Sequence, residues 1–403
     1  MDRAALMALA IKERPTACDD EHVAVVGGGF AGLMAASTLL QLGFKVTLFE
    51  RKRLLVPIQV RCYDRYIHPN SYDWPMNKLE DEYKLAGIKW DAGFADHVSA
   101  QTIDCFETIR SNNAIRYFEN LETHVDNLRP EVGLAGDVYQ LVDDKLFSYG
   151  PFTRVIFAVG FGPETHVTFG DKVDGYWENT GIDNVHGTKD RPMRFLISGA
   201  GDGSLISIVE AMFEESDHSV LVDLVCEWLS EDILDELRAL EISFLDAMRE
   251  SRPVKILDSY DRIFDGHIDG IKAEVAKAVK EGASLTLNTS AGEIFTPGSS
   301  PLNRLLTFIL FRCGFISFRP GRLSADKVKE EIGNDGARRY SVELVSGEVR
   351  NFDRFVTRYG VNQNFVISSV RGLPDSTIEG LSAYRKLELE RSIPEDVFKF
   401  LDW

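Results

Sequence analysis

The chain has 403 residues, of which 44% are hydrophobic and 10% aromatic, so it is long enough for two or three domains with buried cores. A formal net charge of −18 repels nucleic-acid phosphates and anionic lipids, which argues against nucleic acid and membranes as main partners. Five scattered cysteines without a CxxC pair or a zinc spacing predict a cytoplasmic protein with reduced thiols and no metal site.

The first twenty residues are predicted to form an N-terminal extension before the first domain. Their apolar run, residues 4–11, follows an acidic residue and precedes a charged segment. A secretory signal peptide has a basic start and a small-residue cleavage site, so we predict a short extension or helix here instead.

The next stretch, residues 23–50, reads VAVVGGGFAGLMAASTLLQLGFKVTLFE. Its valine-rich start predicts a buried parallel strand over 23–26, and its Ala- and Leu-rich centre predicts a helix over 33–42. Between them lie three glycines at GxGxxG spacing, Gly27, Gly29 and Gly32. The first permits a tight turn, the second lets a diphosphate approach the backbone, and the third lets the helix pack on the strand. The free N–H groups at the start of the helix then favour a diphosphate.

An acidic residue ends the second predicted strand, residues 45–49. This residue, Glu50, lies 18 positions after Gly32. A carboxylate there accepts hydrogen bonds from the hydroxyls of an adenosine ribose and repels a 2′-phosphate. Arg51 weakens that exclusion, because an arginine can bind a 2′-phosphate.

This stretch resembles the N-terminal fingerprint of FAD-dependent oxidoreductases with two dinucleotide-binding, Rossmann-like domains. The family includes disulfide reductases and flavin-dependent monooxygenases; the missing CxxC pair excludes the disulfide-reductase branch, and the monooxygenases are nearest. The resemblance implies an α/β fold, FAD as cofactor and NAD(P)H as a second cofactor. From the fingerprint it assigns these residues to FAD: Gly27, Gly29, Phe30, Ala31, Gly32, Glu50 and Arg51.

Later segments follow the family's order. Residues 113–125 resemble the segment that leads into a meander, with the backbone of Val125 facing the adenine. An apolar strand over 155–159 ends at Gly160, where the family has its closing "ATG" strand. The resemblance implies an FAD-binding domain over residues 21–165 and 361–403, and an inserted second domain over 190–360.

A second glycine turn opens that inserted domain, where the family binds NAD(P)H. The residues at this position are Gly199, Gly201, Gly203 and Ser204. Asp202 places a carboxylate in the turn, which is unfavourable beside a diphosphate unless it caps the helix or points away. The simplest explanation is that Asp202 or Ser204 is the N-cap. The next strand is predicted over 220–225. Two alternatives stay open: a nicotinamide site, or a domain that kept the fold and lost the nucleotide.

A long helical insertion is predicted over residues 205–312, because apolar residues recur there at spacings of three and four. Such an insertion exceeds what nucleotide binding needs. It could shape a substrate pocket or form the interface of a homodimer.

Flavin chemistry needs no catalytic triad, because the ring does the chemistry and the protein supplies position and exclusion of water. The segment 61–75, RCYDRYIHPNSYDWP, is predicted to face the flavin or the substrate. His68 is its candidate for proton transfer, because the reference pKa of histidine lies near working pH. The further flavin- or substrate-facing candidates are Tyr66, Asn70, Trp74, Asn362 and Asn364.

The sequence supports three functional hypotheses. The first is an NAD(P)H-linked FAD-dependent oxidoreductase, such as a monooxygenase, that acts on a small molecule. The second is an FAD-dependent amine or amino-acid oxidase. The third is a non-catalytic sensor or binding module with a flavoprotein fold.

Overall fold

The structure is a computed structural model that describes residues 1–13, 21–69, 71, 74–76, 82–133, 136–160, 176–177, 182, 185–250, 252, 254–290, 292–333 and 337–360. These residues form two compact units. Unit 1 contains described residues within 1–63 and 82–160, and unit 2 contains those within 64–76 and 176–360. Residues 64–76, which the sequence places in the first domain, therefore cluster with unit 2.

The described helices are α1 (Asp2–Lys12), α2 (Phe30–Gln41), α3 (Ala95–Asn112), α4 (Asp202–Met212), α5 (His218–Trp228), α6 (Glu231–Arg249), α7 (Ile256–Ile263), α8 (Ile268–Ala278) and α9 (Pro301–Arg312), with 3₁₀ turns at Gln59–Arg61 and Ala325–Lys327. The described strands are β1 (His22–Val26), β2 (Lys45–Phe49), β3 (Tyr66–Ile67), β4 (Glu82–Leu85), β5 (Ile88–Asp91), β6 (Gly93–Phe94), β7 (Tyr117–Asn120), β8 (Val125–Gly133), β9 (Gly136–Asp143), β10 (Ser148–Phe152), β11 (Arg154–Phe157), β12 (Met193–Ser198), β13 (Ala283–Thr289), β14 (Ile316–Pro320), β15 (Val328–Ile332), β16 (Arg338–Glu343), β17 (Val349–Phe352) and β18 (Arg354–Thr357).

Unit 1 is built on a four-stranded parallel sheet of order β11-β1-β2-β7. The strand β1 is valine-rich and buried almost throughout, as a central parallel strand requires. Helix α2 packs on this sheet with nine consecutive buried residues, Gly32 to Leu40, and α1 packs on α2. An antiparallel meander, β8-β9-β10, shares a small core with the sheet, in which Phe49 and Phe152 pack edge to face.

Unit 2 repeats this plan. Its parallel sheet has the order β18-β12-β13-β14, and its meander is β15-β16-β17. Tyr340 on β16 and Phe355 on β18 pack edge to face between the meander and the sheet. Each unit thus holds a parallel sheet whose first strand leads through a glycine turn into a helix, which confirms the predicted α/β architecture of two Rossmann-like domains.

The two units differ in the segment between the first helix and the second strand of the parallel sheet. In unit 1 three residues join α2 to β2, whereas in unit 2 helices α5 to α8 lie between α4 and β13. These helices bury one face each in the large core of unit 2. Among the described helices, none is long and apolar enough to cross a bilayer.

Two sequence predictions in this region are wrong. Residues 220–225, predicted as a strand, lie in α5, where Leu221, Val225 and Trp228 are buried at helical spacing and the side chain of Asp217 caps the N-terminus. The second strand of the unit is β13, so the predicted helical insertion 205–312 is interrupted by a strand. In β13, Leu285 and Leu287 are buried at strand spacing within a segment that reads as polar.

Candidate functional site

The glycine turn of unit 1 joins β1 to α2. Gly27 has a φ of +110°, and a side chain on it would overlap the carbonyl oxygen of Ala158. A side chain on Gly32 would overlap the carbonyl oxygen of Gly27, so the helix sits directly on the turn. By contrast, a methyl group on Gly29 would meet nothing within 4 Å. Gly27 and Gly32 are therefore required by packing, and Gly29 borders open space.

The start of α2 offers the donors that a diphosphate needs. Gly29 is the N-cap residue and carries no side chain to bond the first N–H groups, and the first turn contains no acidic residue. Orphan N–H groups and the partial positive charge of the helix therefore point at the space beside Gly29. Phe30 is half-buried and Ala31 is exposed at this end of the helix.

Glu50 is held at the edge of the same turn. Its carboxylate accepts hydrogen bonds from the backbone N–H groups of Gly28 at 2.7 Å and Lys52 at 2.8 Å. The side chain is only 6% exposed, so its orientation is fixed. A carboxylate has about four acceptor positions, and two of them are used by these N–H groups. The remaining lone pairs fit the two hydroxyls of a ribose.

The other predicted FAD residues lie at the same sheet edge. Val125 begins β8 with its side chain in the core, two residues after Thr123, whose N–H donates to the carbonyl oxygen of Glu50. Gly160 follows the end of β11, close to Ala158, which touches the glycine turn. Arg51 is exposed next to Glu50. The fold thus brings these residues to one end of the parallel strands, as in nucleotide-binding sheets.

The glycine turn of unit 2 has the same geometry with a different third residue. Gly199 has a φ of +143°, and a side chain on it would overlap the carbonyl oxygen of Arg358. Gly201 is the N-cap of α4, and a methyl group on it would meet nothing within 4 Å. Counted from the end of the first strand, Ser204 occupies the position of Gly32, and its hydroxyl donates to the carbonyl oxygen of Arg358 at 3.3 Å.

Asp202 does not face the space beside Gly201. Its carboxylate accepts hydrogen bonds from the backbone N–H of Ser300 at 3.0 Å and the side-chain amide of Asn303 at 2.9 Å, at the N-terminus of α9. The positive end of α9 therefore stabilises this charge. The explanation that Asp202 or Ser204 caps α4 is wrong, because Gly201 holds the N-cap position; the carboxylate points away from the turn instead.

The strand end of unit 2 that corresponds to Glu50 carries no acid. In the sheet registers Phe49 pairs with Val26 and Asn288 pairs with Ser198, so Thr289 is the counterpart of Glu50. The hydroxyl of Thr289 donates to the carbonyl oxygen of Glu293 at 2.7 Å.

An exposed arginine lies next to this strand end. The N–H of Gly321 donates to the carbonyl oxygen of Thr289, and Arg322 follows directly. Burial raises the pKa of Tyr359. The hydrogen bond with Ser198 and the positive charge of Arg322 both oppose this rise. Sequence reasoning missed both Thr289 and Arg322, because it placed the second strand at residues 220–225.

A buried cluster flanks the second glycine turn. Gly203 is not the third glycine of the motif; a side chain there would come within 3.2 Å of the ring of Tyr176. The guanidinium groups of Arg65 and Arg358 lie 5.1 and 5.9 Å from the centre of that ring. Arg65 also donates to the carbonyl oxygen of Tyr176 at 2.8 Å and forms a buried ion pair with Glu210. Burial opposes the charged form of Arg65, but Glu210 outweighs it and raises the pKa of Arg65.

From residue 64 onward, the described part of the segment that the sequence assigns to the flavin or substrate belongs to unit 2. Trp74 is 5% exposed in the core of that unit, which corrects its expected role as a pocket residue. His68 is also buried, and Tyr66 stacks on His218 with ring centres 6.2 Å apart. Asn70, Asn362 and Asn364 lie outside the described residues.

His218 makes the stability of unit 2 depend on pH. Burial, together with repulsion from His68, lowers the pKa of His218 to about 4, although Asp202 and Asp217 oppose the shift. The unfolded chain, with a pKa near 6.5, binds this proton between pH 6.5 and 4, whereas the folded protein does not. The contribution of His218 is therefore complete above pH 6.5 and is lost as the pH falls, by roughly 1.4 kcal/mol per pH unit.

We expect His218→Phe to remove this dependence. Between pH 7.5 and 5.0, urea unfolding of the wild-type protein should lose about 2 kcal/mol more free energy than the variant loses. His267→Asn, at an exposed histidine of the same unit, is the control and should behave as wild type. An identical loss in wild type and His218→Phe would show that His218 is not held neutral by the fold.

A known family model matches the part of the chain that contains the first glycine turn. Residues 22–61 match the model of the family described as pyridine nucleotide-disulphide oxidoreductase, which covers β1, α2, β2 and Glu50. No curated protein sequence matches the chain.

Solved structures with similar folds are distant. The bacillithiol disulfide reductase Bdr (YpdA) from Staphylococcus aureus is 10% identical, with 87% of this chain and 80% of that chain covered and a TM-score of 0.43. Thioredoxin reductase from Lactococcus lactis is 12% identical, with 88% and 82% covered and a TM-score of 0.41. Thioredoxin reductase from T. acidophilum is 10% identical, with 88% and 81% covered and a TM-score of 0.39.

The family match and the two glycine-turn units agree with each other. The match covers the strand, turn, helix and acid that unit 1 arranges, and unit 2 repeats the same sheet and meander. The first unit thus carries the fingerprint that this family model describes, and both units have a Rossmann-like fold.

Proposed function

We propose that unit 1 binds FAD, that unit 2 binds NADPH, and that the electrons pass on to a small-molecule acceptor rather than to a disulfide of this chain. The observation that carries the proposal is the first glycine turn, where Gly29 borders open space and Glu50 is fixed beside it. FAD, when bound, would accept two electrons and a proton from reduced nicotinamide and pass two electrons to the acceptor.

In unit 1, each part of the adenosine diphosphate half has a partner. The free N–H groups of α2 at Gly29 would bind the diphosphate, and the fixed carboxylate of Glu50 would accept hydrogen bonds from the ribose hydroxyls. The backbone near Val125 is proposed to border the adenine, because the preceding residues bond to Glu50.

In unit 2, the turn at Gly201 would bind the diphosphate of a nicotinamide dinucleotide. The strand end favours NADPH over NADH. Thr289 supplies no carboxylate to repel a 2′-phosphate, and the exposed Arg322 supplies a positive charge close to that strand end. Arginine is suited to phosphate, because its planar group donates two parallel hydrogen bonds.

The described cysteines do not support a disulfide relay in unit 2. Cys226 and Cys313 are free thiols, and burial raises the pKa of each. A raised pKa keeps a thiol protonated and therefore unreactive in thiol–disulfide exchange. This supports an acceptor that is a separate molecule, as expected for the non-disulfide branches of the family.

The specificity for NADPH can be tested with Arg322→Gln. We expect kcat/KM for NADPH to fall about tenfold or more, because a charge-assisted hydrogen bond to phosphate is lost, while the value for NADH stays within about twofold. Arg319→Gln is the matched control, since the guanidinium of Arg319 already bonds the carbonyl oxygen of Phe318 and lies 3.7 Å from Glu348. Faster reduction by NADH in the wild type would contradict the assignment.

The proposed function itself is tested by anaerobic reduction of the flavin-loaded protein. Bleaching of the yellow flavin by NADPH without any other substrate supports an NADPH-linked oxidoreductase. Bleaching by amines or amino acids alone supports the amine oxidase alternative, and a protein that takes up no flavin supports a binding module. Readmission of oxygen, with and without a panel of small acceptors, then separates a monooxygenase from a reductase.

A further inference from the structure

Unit 2 contains a cavity at the end of its sheet opposite the glycine turn. The cavity has a volume of about 850 Å³. It is lined by residues 185–188 and 190–194 before and at the start of β12, by residues 337–339 at the start of β16, and by Asp353 and Arg354 at the start of β18. Since β12 rises about 3.3 Å per residue, roughly 20 Å separates this cavity from the turn at Gly199. It is therefore a separate feature from the proposed nucleotide site.

The lining of this cavity carries a net positive charge, whereas the chain as a whole is negatively charged. Two aspartates, Asp190 and Asp353, line it together with five arginines, a formal excess of three positive charges, whereas the whole chain has a net charge of −18. The arginines are Arg191, Arg194, Arg338, Arg339 and Arg354. A concave surface lined by one sign of charge concentrates its field on ions of the opposite sign.

The carboxylate of Asp353 is hydrogen-bonded to Arg194. It accepts hydrogen bonds from the backbone N–H and the guanidinium of Arg194, at distances of 3.0 to 3.3 Å. Burial opposes its charged form, but these bonds from Arg194 outweigh burial and lower the pKa of Asp353. The aspartate thus fixes one guanidinium in the wall of the cavity, and it stays charged at neutral pH.

The backbone fixes other parts of the wall. A side chain on Gly187 would overlap the carbonyl oxygen of Gly282, so the chain is closely packed there. Thr188 and Arg191 exchange two backbone hydrogen bonds, of 3.0 and 3.1 Å, which hold the turn that carries Arg191. Arg338 pairs with Glu330 at 3.3 Å, but both side chains are nearly half exposed, so this pair is weak and easily exchanged.

We propose that this cavity, the arginine pocket, binds a small anion with two or more phosphate or carboxylate groups. Its volume lies within the range of small-ligand sites, and guanidinium groups match both phosphate and carboxylate geometry. The pocket has arginines from three segments of the chain, so an anion that reaches all of them must carry more than one charged group. This inference does not depend on the proposed function, because it concerns the opposite end of the strands.

Calorimetric titration of the full chain at low salt tests the arginine pocket. The probes are inorganic pyrophosphate and citrate, which represent the phosphate and carboxylate sources. We expect at least one of them to bind the wild type, and Arg338→Gln/Arg339→Gln to weaken that binding by about tenfold or more. The better-bound probe identifies the preferred group. Binding should also weaken steeply as salt is raised, because the attraction is screened.

The control removes the same number of charges elsewhere in unit 2. Arg252→Gln/Lys277→Gln replaces two exposed cations that each pair with a carboxylate, Glu250 and Glu274, as Arg338 pairs with Glu330. It should bind the probe as the wild type does. The proposal is overturned if neither probe binds the wild type, if the control weakens binding equally, or if the pocket variant binds unchanged, since pyrophosphate would then occupy a glycine turn instead.

Discussion

Gly29→Ala is expected to strip FAD from the protein while leaving its fold intact. A methyl group at this position meets nothing within 4 Å in the protein, and the backbone, with φ of −78° and ψ of −178°, is open to alanine. The methyl would, however, occupy the space through which the diphosphate approaches the N–H groups of α2. We expect FAD to bind roughly a hundredfold more weakly, which corresponds to about 2.7 kcal/mol, and the melting temperature of the apo-protein to change little, since alanine for glycine at an N-cap costs under about 1 kcal/mol.

Gly32→Ala is the matched control for this prediction, because it should destabilise the fold, whereas Gly29→Ala should not. Its methyl would overlap the carbonyl oxygen of Gly27, so α2 must shift away from the turn. We expect a loss of roughly 2 to 4 kcal/mol in unfolding free energy, as for other overpacked sites. Urea unfolding and FAD titration of both variants check the pair. Equal stability of Gly32→Ala and wild type, or unchanged FAD affinity in Gly29→Ala, would contradict the geometry of the turn.

Glu210→Gln is expected to destabilise unit 2 more than any surface change. Arg65 and Glu210 form an ion pair in which the side chains are 1% and 5% exposed. Glutamine removes the counter-charge but leaves the arginine charged, because a guanidinium group is not deprotonated in proteins. Breaking such a pair from one side costs about 3 to 5 kcal/mol. The measurement is the free energy of unfolding in urea at neutral pH.

Two further variants show whether the loss comes from the uncompensated charge. Glu274→Gln breaks an exposed pair with Lys277 and should change stability by less than about 0.5 kcal/mol. Arg65→Met/Glu210→Met removes both charges and should recover much of the loss, since apolar replacement of a buried pair is often neutral. If Glu210→Gln is as stable as wild type, the pair does not hold segment 64–76 on α4.

The first glycine turn was predictable because its chemistry is local. The residues from Gly27 to Glu50 succeed one another within a strand, a turn, a helix and a strand, and each step has a sequence pattern of its own. The predicted strand 45–49 has the bounds that the structure gives to β2.

The strand end of unit 2 was not predictable in the same way. The helices α4 to α8 lie between β12 and β13, so Thr289, the partner of the second glycine turn, follows Gly199 by 90 residues. The apolar run VLVDLV in α5 has the composition of a buried strand. Its helical spacing shows only in which of its residues the structure buries. Thr289 and Arg322 could be recognised only from the register of β13 and from the hydrogen bond between Gly321 and Thr289.

The aromatic segment 61–75 shows a second limit of local patterns. Its composition suits a ligand pocket, but Arg65 and Trp74 are buried by contacts with residues more than one hundred positions away. Composition alone does not distinguish a ring that lines a pocket from one that fills a core.

Equilibrium titration of the apo-protein with FAD, comparing wild type with Glu50→Ala and Glu50→Gln, tests the central claim most directly. We expect one FAD to bind per wild-type chain. The affinity should be about tenfold weaker in Glu50→Gln, where the charge is lost, and weaker still in Glu50→Ala, where the acceptor is lost as well. A wild-type protein that takes up no FAD, or a Glu50→Ala variant that binds it as tightly as wild type, would contradict the account.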